Sequence, residues 1–178
     1  MNCFQGDVDN FELVSAEVPD WSRETPRQFW DPGRKLLRTI RQYQSWQRKG
    51  GFVARLFCKI LVLRNRFWSV VTGADIPLNC QIGGGLLIPH PNGIVIHPGA
   101  VIGVNCLIFQ QVTVGSRSEA GLPVIGGHVD IGAGAKVLGN IRIGDHAKIG
   151  ANAVVTKSVL PQETAIGASA NQATPDPC

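Results

Sequence analysis

Four histidines and five cysteines are the residues best placed to do chemistry, and one of them stands in an unusual context. Residues 88–93 read IPHPNG, which sets His90 between Pro89 and Pro91 and follows it with an Asn92-Gly93 turn pair. A proline cannot donate to a strand ladder, and it pushes the residue before it towards extended geometry. His90 is therefore expected on a rigid bulge, where a neutral imidazole can exchange a proton near neutral pH. The plainer reading of such a residue is a solvated loop histidine. The cysteines, at 3, 58, 80, 106 and 178, show no CxxC or other ligand-like spacing. That pattern points to reduced thiols, with no disulfide framework and no metal site.

The elements that would position His90 follow a six-residue beat. Aliphatic residues recur at Ile76, Ile82, Ile88, then Ile96, Ile102, Ile108, Val114, then Ile125, Ile131, Val137, Ile143, Ile149 and Val155. Glycine follows many of them, and a second small or aliphatic residue, such as Ala100, Cys106 or Ala135, sits four positions further on. Neither a helix nor a hairpin has that period. A hexapeptide β-helix does, with each hexad forming one side of a triangular coil and about three hexads completing a turn. The fold class is thus mainly β, a parallel β-helix over residues 74–167 with its aliphatics stacked inside. Cys106 falls on a small inward position and reads as packing. His128 and His146 occupy corner-like positions of regular hexads and read as solvated surface residues. The beat slips twice. Ile88 to Ile96 is two residues too long, with the surplus in PHPNG, and Val114 to Ile125 spans the polar loop GSRSEAGLP.

Ahead of the beat, Asp31-Pro32 reads as an N-cap and first helical residue, with Leu36, Leu37, Ile40 and Tyr43 at helical spacing as far as Gly50-Gly51. A second helix is expected from about Phe52 to Val71, with Phe52, Leu56, Phe57, Ile60 and Leu63 on one face and Gly73 ending it. The chain divides into an irregular segment 1–30, a helical region 31–73, the β-helix 74–167 and a tail 168–178. Charge divides as sharply. Residues 1–33 carry seven acids against Arg23 and Arg27, whereas residues 34–66 carry ten Lys/Arg and no acid. A basic stretch can serve nucleic acid, an anionic membrane surface or a phosphorylated cofactor; its plain reading is a helix pair with solvated basic faces. No nucleic-acid partner is expected, and peripheral membrane contact through residues 34–66 stays open. The opening MNCFQGDVDNFELVSAEVPD lacks the apolar run of a signal peptide, and FVARLFCKILVL is interrupted by Arg55 and Lys59 and too short to span a bilayer. The expected location is cytoplasmic.

DIPLNCQIGGGLLIPHPNGIVIHPGAVIG, IFQQVTVG and VDIGAGAKVLGNIRIGDHAKIGANAVV together resemble the serine O-acetyltransferase branch of the hexapeptide-repeat acyltransferases, over about residues 73–167. The resemblance implies a left-handed parallel β-helix, acetyl-CoA as co-substrate without a metal, and a homotrimer, with a hexamer as the larger option. It implies that His90 is a general base and that Asp75, fifteen residues before it, orients the imidazole and stabilises its cation. Backbone N–H groups around Gly115 and Ser116 would steady the oxyanion. Ala133 and Ala151, Thr156 and Lys157 match positions that line acetyl-CoA, Lys157 meeting a phosphate. The alternative for Asp75 is a cap at the helix junction, and for the cofactor positions ordinary repeat packing with a solvated lysine.

Two departures bear on substrate: Pro89 stands where the family has an aspartate, and Gly121 and Leu122 stand where it has an Arg-His pair. A third, GASAN in place of the G-x-P-A-R element, removes the family's usual basic contact with CoA. The family's remaining substrate aspartate is assigned only loosely, to Asp20. The expected reaction is acetyl transfer to a small-molecule hydroxyl, with a sugar or polysaccharide precursor as first choice of acceptor and L-serine, for cysteine biosynthesis, as second. Two other classes compete. A non-enzymatic β-helix scaffold would be indifferent to His90. A metal-dependent hydratase would need histidines clustered on facing coils, which His90, His97, His128 and His146 do not suggest, although His97 could approach His90.

Overall fold

A computed structural model of the chain describes residues 14–117 and 121–167. After a 3-10 turn at Trp21–Glu24, Asp31 caps the first helix, α1 (Pro32–Lys49), accepting the Arg34 N–H at 3.4 Å, with proline in the first turn as the sequence predicts. Leu36, Leu37 and Ile40 are fully buried and belong to the same core as Ile76, Leu86 and Ile88 of the first coil. Gly50 separates α1 from α2 (Gly51–Thr72), and left-handed Gly73 ends it.

Helix α2 carries the apolar face read from its periodicity, but that face looks outward. Ala54, Leu61 and Thr72 are its buried positions, whereas Phe52, Leu56, Ile60 and Leu63 are exposed. The cause is geometric. α1 already covers the end of the coils, so α2 packs chiefly on α1, where Trp46 stacks on Phe57 with ring centroids 4.6 Å apart, while Trp68 meets Trp30 edge-on at 6.0 Å.

The rest is a succession of very short strands: β1 (Gln81–Ile82), β2 (Val95–Ile96), β3 (Val101–Ile102), β4 (Leu107–Ile108), β5 (Thr113–Gly115), β6 (Val124–Ile125), β7 (Asp130–Ile131), β8 (Lys136–Leu138), β9 (Arg142–Ile143), β10 (Lys148–Ile149), β11 (Val154–Val155) and β12 (Thr164–Ala165). They form three parallel four-stranded sheets, β1-β3-β6-β9, β2-β5-β8-β11 and β4-β7-β10-β12, the three sides of a left-handed parallel β-helix. Ile96 sits beside Val114 and Ile131 beside Ile149, each pair eighteen residues apart, as three hexads per coil require. Ile82 instead pairs with Ile102 and Ile102 with Ile125, so the PHPNG and GSRSEAGLP surpluses are looped out without shifting the ladder. Glycines permit this close stacking: a Cβ at Gly83 would fall 2.6 Å from the carbonyl carbon of Gly103, and one at Gly103 closer still to the Gly126 carbonyl oxygen.

Polar side chains of α1 close the first coil. Arg41 donates to the Ile82 and Gly83 carbonyls at 2.6 Å each, and Gln44 Nε2 to the Leu78 and Cys80 carbonyls at 3.1 and 3.0 Å. Buried Glu24 pairs with Arg41 at 2.7 Å and also accepts the Leu86 N–H at 3.1 Å. Removing Arg41 strands a buried carboxylate and leaves the Ile82 and Gly83 carbonyls without this donor. Arg41→Ala is expected to lower stability by about 3–5 kcal/mol, read as a drop in the urea midpoint without a fall in slope.

Candidate active site

The PHPNG surplus forms the bulge expected of it. The Pro91 carbonyl accepts the Ile94 N–H at 3.2 Å across a turn that needs positive φ at Gly93 (71°), and the Gly93 N–H donates to the Gly73 carbonyl at 2.8 Å. The first turn of α1 braces the far side: a Cβ at Gly33 would lie 2.9 Å from the Ile88 carbonyl oxygen. His90 is exposed on this bulge, five residues before Val95. Asp75 lies beside Val95 on the neighbouring coil, its N–H donating to Ile94 at 2.8 Å and its carbonyl accepting from Ile96 at 3.0 Å. Its side chain is exposed and, among the described residues, caps no backbone amide. No hydrogen bond or ion pair joins it to His90; what the fold supplies is adjacency at one end of one face.

Coil stacking sorts the other expected residues into two groups. Gln111 donates its N–H to Asn92, Gly134 to Gln110 and Asn152 to Ala133, so Asn92, Gln110, Ala133 and Ala151 form one column along the edge before the β2-β5-β8-β11 sheet. The chain enters that edge through His90. Gly115 pairs with Leu138 and therefore lies with Ser116, Thr156 and Lys157 on the edge where this sheet ends. His90, Asp75, Ala133 and Ala151 are thus brought to one edge, and Gly115, Ser116, Thr156 and Lys157 to the other. His97 belongs to the second edge, its Nδ1 accepting the Gly99 N–H at 3.1 Å, and so does not approach His90.

The remaining expectations are placed elsewhere. Asp20 caps the 3-10 turn, accepting the Ser22 N–H at 2.9 Å, and its own N–H donates to Asn105 at 2.7 Å. That corner, between β3 and β4, is a different edge of the coils from the one that carries His90. Cys106 is fully buried and burial pushes its thiol up to about 12, in keeping with packing. Among the described residues no group of three or more His, Cys, Asp and Glu could hold a metal, and no helix is long and apolar enough to cross a membrane.

Comparison with known proteins places this geometry. The model for "Bacterial transferase hexapeptide (six repeats)" matches residues 123–157. Serine acetyltransferase of Helicobacter pylori is 39% identical over 133 residues, covering 73% of this chain and 74% of the relative. The chain belongs to the serine acetyltransferase family. The Mycobacterium tuberculosis serine acetyltransferase is 40% identical over 125 residues, 68% of this chain and 52% of its own length, so the chain spans about half of that relative. Among solved structures, Entamoeba histolytica serine acetyltransferase isoform 3, in complex with cysteine, aligns with TM-score 0.67 at 35% identity over 83% of this chain and 52% of its own. A serine acetyltransferase in complex with coenzyme A, from Brucella abortus, aligns with TM-score 0.64 at 33% identity over 79% and 55%.

One polar cluster was misread from sequence. His128 and His146 are half-buried, with left-handed backbone (φ 51° and 59°), and their Nδ1 atoms are 2.9 Å apart. One ring must donate and the other accept, so the contact needs a neutral partner. Arg23 and Asp130 are packed near it, which is why these corners are not solvated. Burial, above all, holds His128 below the ordinary histidine value of 6.5, against the pull of Asp130. The fold therefore favours neutral His128, a contribution present above pH 6.5 and lost as pH falls through the folded value. Asp130, raised by burial from 3.8, acts oppositely and is felt as pH rises above that value. Thermal midpoints at pH 7 and pH 5 should differ less for His128→Asn than for the unmodified chain.

Proposed function

We propose that the chain is an acetyl-CoA-dependent O-acetyltransferase that uses His90 as general base, with the hydroxyl of L-serine as acceptor. The observation that carries this is the shared edge: His90 stands at the head of the column containing Ala133 and Ala151, with Asp75 on the adjoining coil. Small residues there let an extended cofactor lie close along the coils and present its thioester towards the imidazole. His90 takes the proton of the acceptor hydroxyl as the oxygen attacks the acetyl carbonyl, and Asp75 stabilises the imidazolium. Collapse of the tetrahedral adduct expels the CoA thiolate, which takes that proton from His90. The serine acetyltransferase relatives favour this acceptor over the sugar or polysaccharide precursor expected from the sequence.

The groups that hold the oxyanion and the CoA phosphate are proposed to come from a neighbouring copy. Gly115, Ser116, Thr156 and Lys157 lie on the opposite edge of the His90 face, and in a homotrimer the edge of one copy faces the next. A hollow of about 290 Å³ lined by Thr156, Lys157 and Glu163 lies on that second edge.

A sugar hydroxyl remains the second reading, on a specific observation. Exposed Pro89 adjoins His90, and the Leu122 side chain packs over Gly99, so neither position offers a charge to pair an amino acid's ammonium or carboxylate. Steady-state rates with L-serine and with sugar acceptors decide between them: saturable serine turnover supports the first reading, and turnover of sugars alone overturns it. On the preferred acceptor, His90→Ala should slow kcat about 10²–10⁴-fold with KM for acetyl-CoA little changed, while Asp75→Asn should give a smaller loss. Unchanged turnover in His90→Ala would overturn its role as base, and absence of turnover with every acceptor would leave the scaffold reading.

A further inference from the structure

The surface of α2 that faces away from α1 has a composition the acetyl-transfer site does not use. At roughly 100° per residue, Phe52, Leu56, Ile60, Leu63, Phe67 and Val70 fall within an arc of about 80°. All six are exposed, Phe52 and Val70 at 84%. Arg55, Lys59 and Arg66 line one flank of the stripe, and Arg64 marks the other. Beside Arg64, α1 and α2 enclose a hollow of about 320 Å³ lined by Lys35, Arg38, Gln42, Arg64 and Trp68. Burial, and next the like charge of Arg38, disfavour the Arg64 cation there. Its guanidinium donates to Thr39 Oγ1 at 3.0 Å and to Gln42, both neutral. Residues 34–72 contain no Asp or Glu.

These features select an occupant. A second copy packed on the same stripe would set cations against cations with no acid to pair them. A nucleic acid would match the charge and leave the apolar stripe in water. A surface with an apolar interior beneath a layer of phosphates matches both, and a long helix with an apolar stripe flanked by Lys and Arg is the form that lies in such an interface. We propose that α2 docks on an anionic lipid bilayer, its stripe entering the boundary between headgroups and acyl chains, with lipid phosphates meeting Arg55, Lys59 and Arg66 on one flank and the Lys35-Arg38-Arg64 hollow on the other. The helix lies on the bilayer and does not span it, in keeping with its cations and with the absence of a spanning helix among the described residues. This assignment is independent of the acetyl acceptor.

The test is co-sedimentation of the full chain with phosphatidylcholine vesicles, with and without phosphatidylglycerol. Binding is expected only where phosphatidylglycerol is present, and should weaken as salt rises. Arg55→Gln, Lys59→Gln and Arg66→Gln together should lower the partition on the order of a hundredfold, and Arg38→Gln alone about fivefold. Phe52→Ser with Leu63→Ser should abolish it while circular dichroism and the thermal midpoint stay unchanged, since both side chains are exposed. Failure to bind anionic vesicles, or binding indifferent to these substitutions, overturns the proposal. So does a fall in oligomer mass on Phe52→Ser with Leu63→Ser, which would make the stripe a contact between copies.

Discussion

Strands of two or three residues cannot pair with a neighbour in the same coil; their backbone groups can bond only to the coil above and the coil below. Once the first coil is set, every later residue is placed by its count from there, inward for the aliphatics and outward for the rest. Extra residues are tolerated only at corners, because a surplus within a strand would turn its aliphatic residue out of the core. Both surpluses are found at corners, and the ladder resumes in step beyond each. The chemistry-bearing residues consequently collect along edges of the prism, where backbone can leave the ladder.

That counting rule explains what could be read from sequence. The aliphatic beat specified the core because its period comes directly from the coil, and all thirteen beat positions are buried. His90 was found through a miscount, and Ala133 and Ala151 through an interval of one coil. The same interval separates His128 from His146, yet nothing in the repeat marks them as half-buried. Their burial comes from the Arg23 turn, which lies outside the repeat and has no period of its own. Asp20 caps that same turn and likewise has no place in the count. Which edge a residue occupies follows from the count, but His90 and Ser116 were grouped by likeness to a family whose sites the count alone would have placed on opposite edges.

The α2 stripe shows a different limit. Periodicity reveals that a helix has an apolar face; it does not reveal what covers it. Leu36, Leu37 and Ile40 of α1 show the same spacing and are buried, because that face of α1 joins the core of the coils. The charge asymmetry of residues 34–66 was the sequence clue to the difference, since acid-free basic surfaces are poor partners for one another.

A stack of parallel coils is by construction extensible: its first coil offers unpaired carbonyls and an open apolar end, a template on which a further coil, or another molecule, could be laid. Here Arg41 and Gln44 occupy four of those carbonyls, and Leu36, Leu37 and Ile40 stopper the apolar end. The first helix therefore gives the molecule its finite length. Without it, the repeat that builds the fold would also be the seed of a fibre.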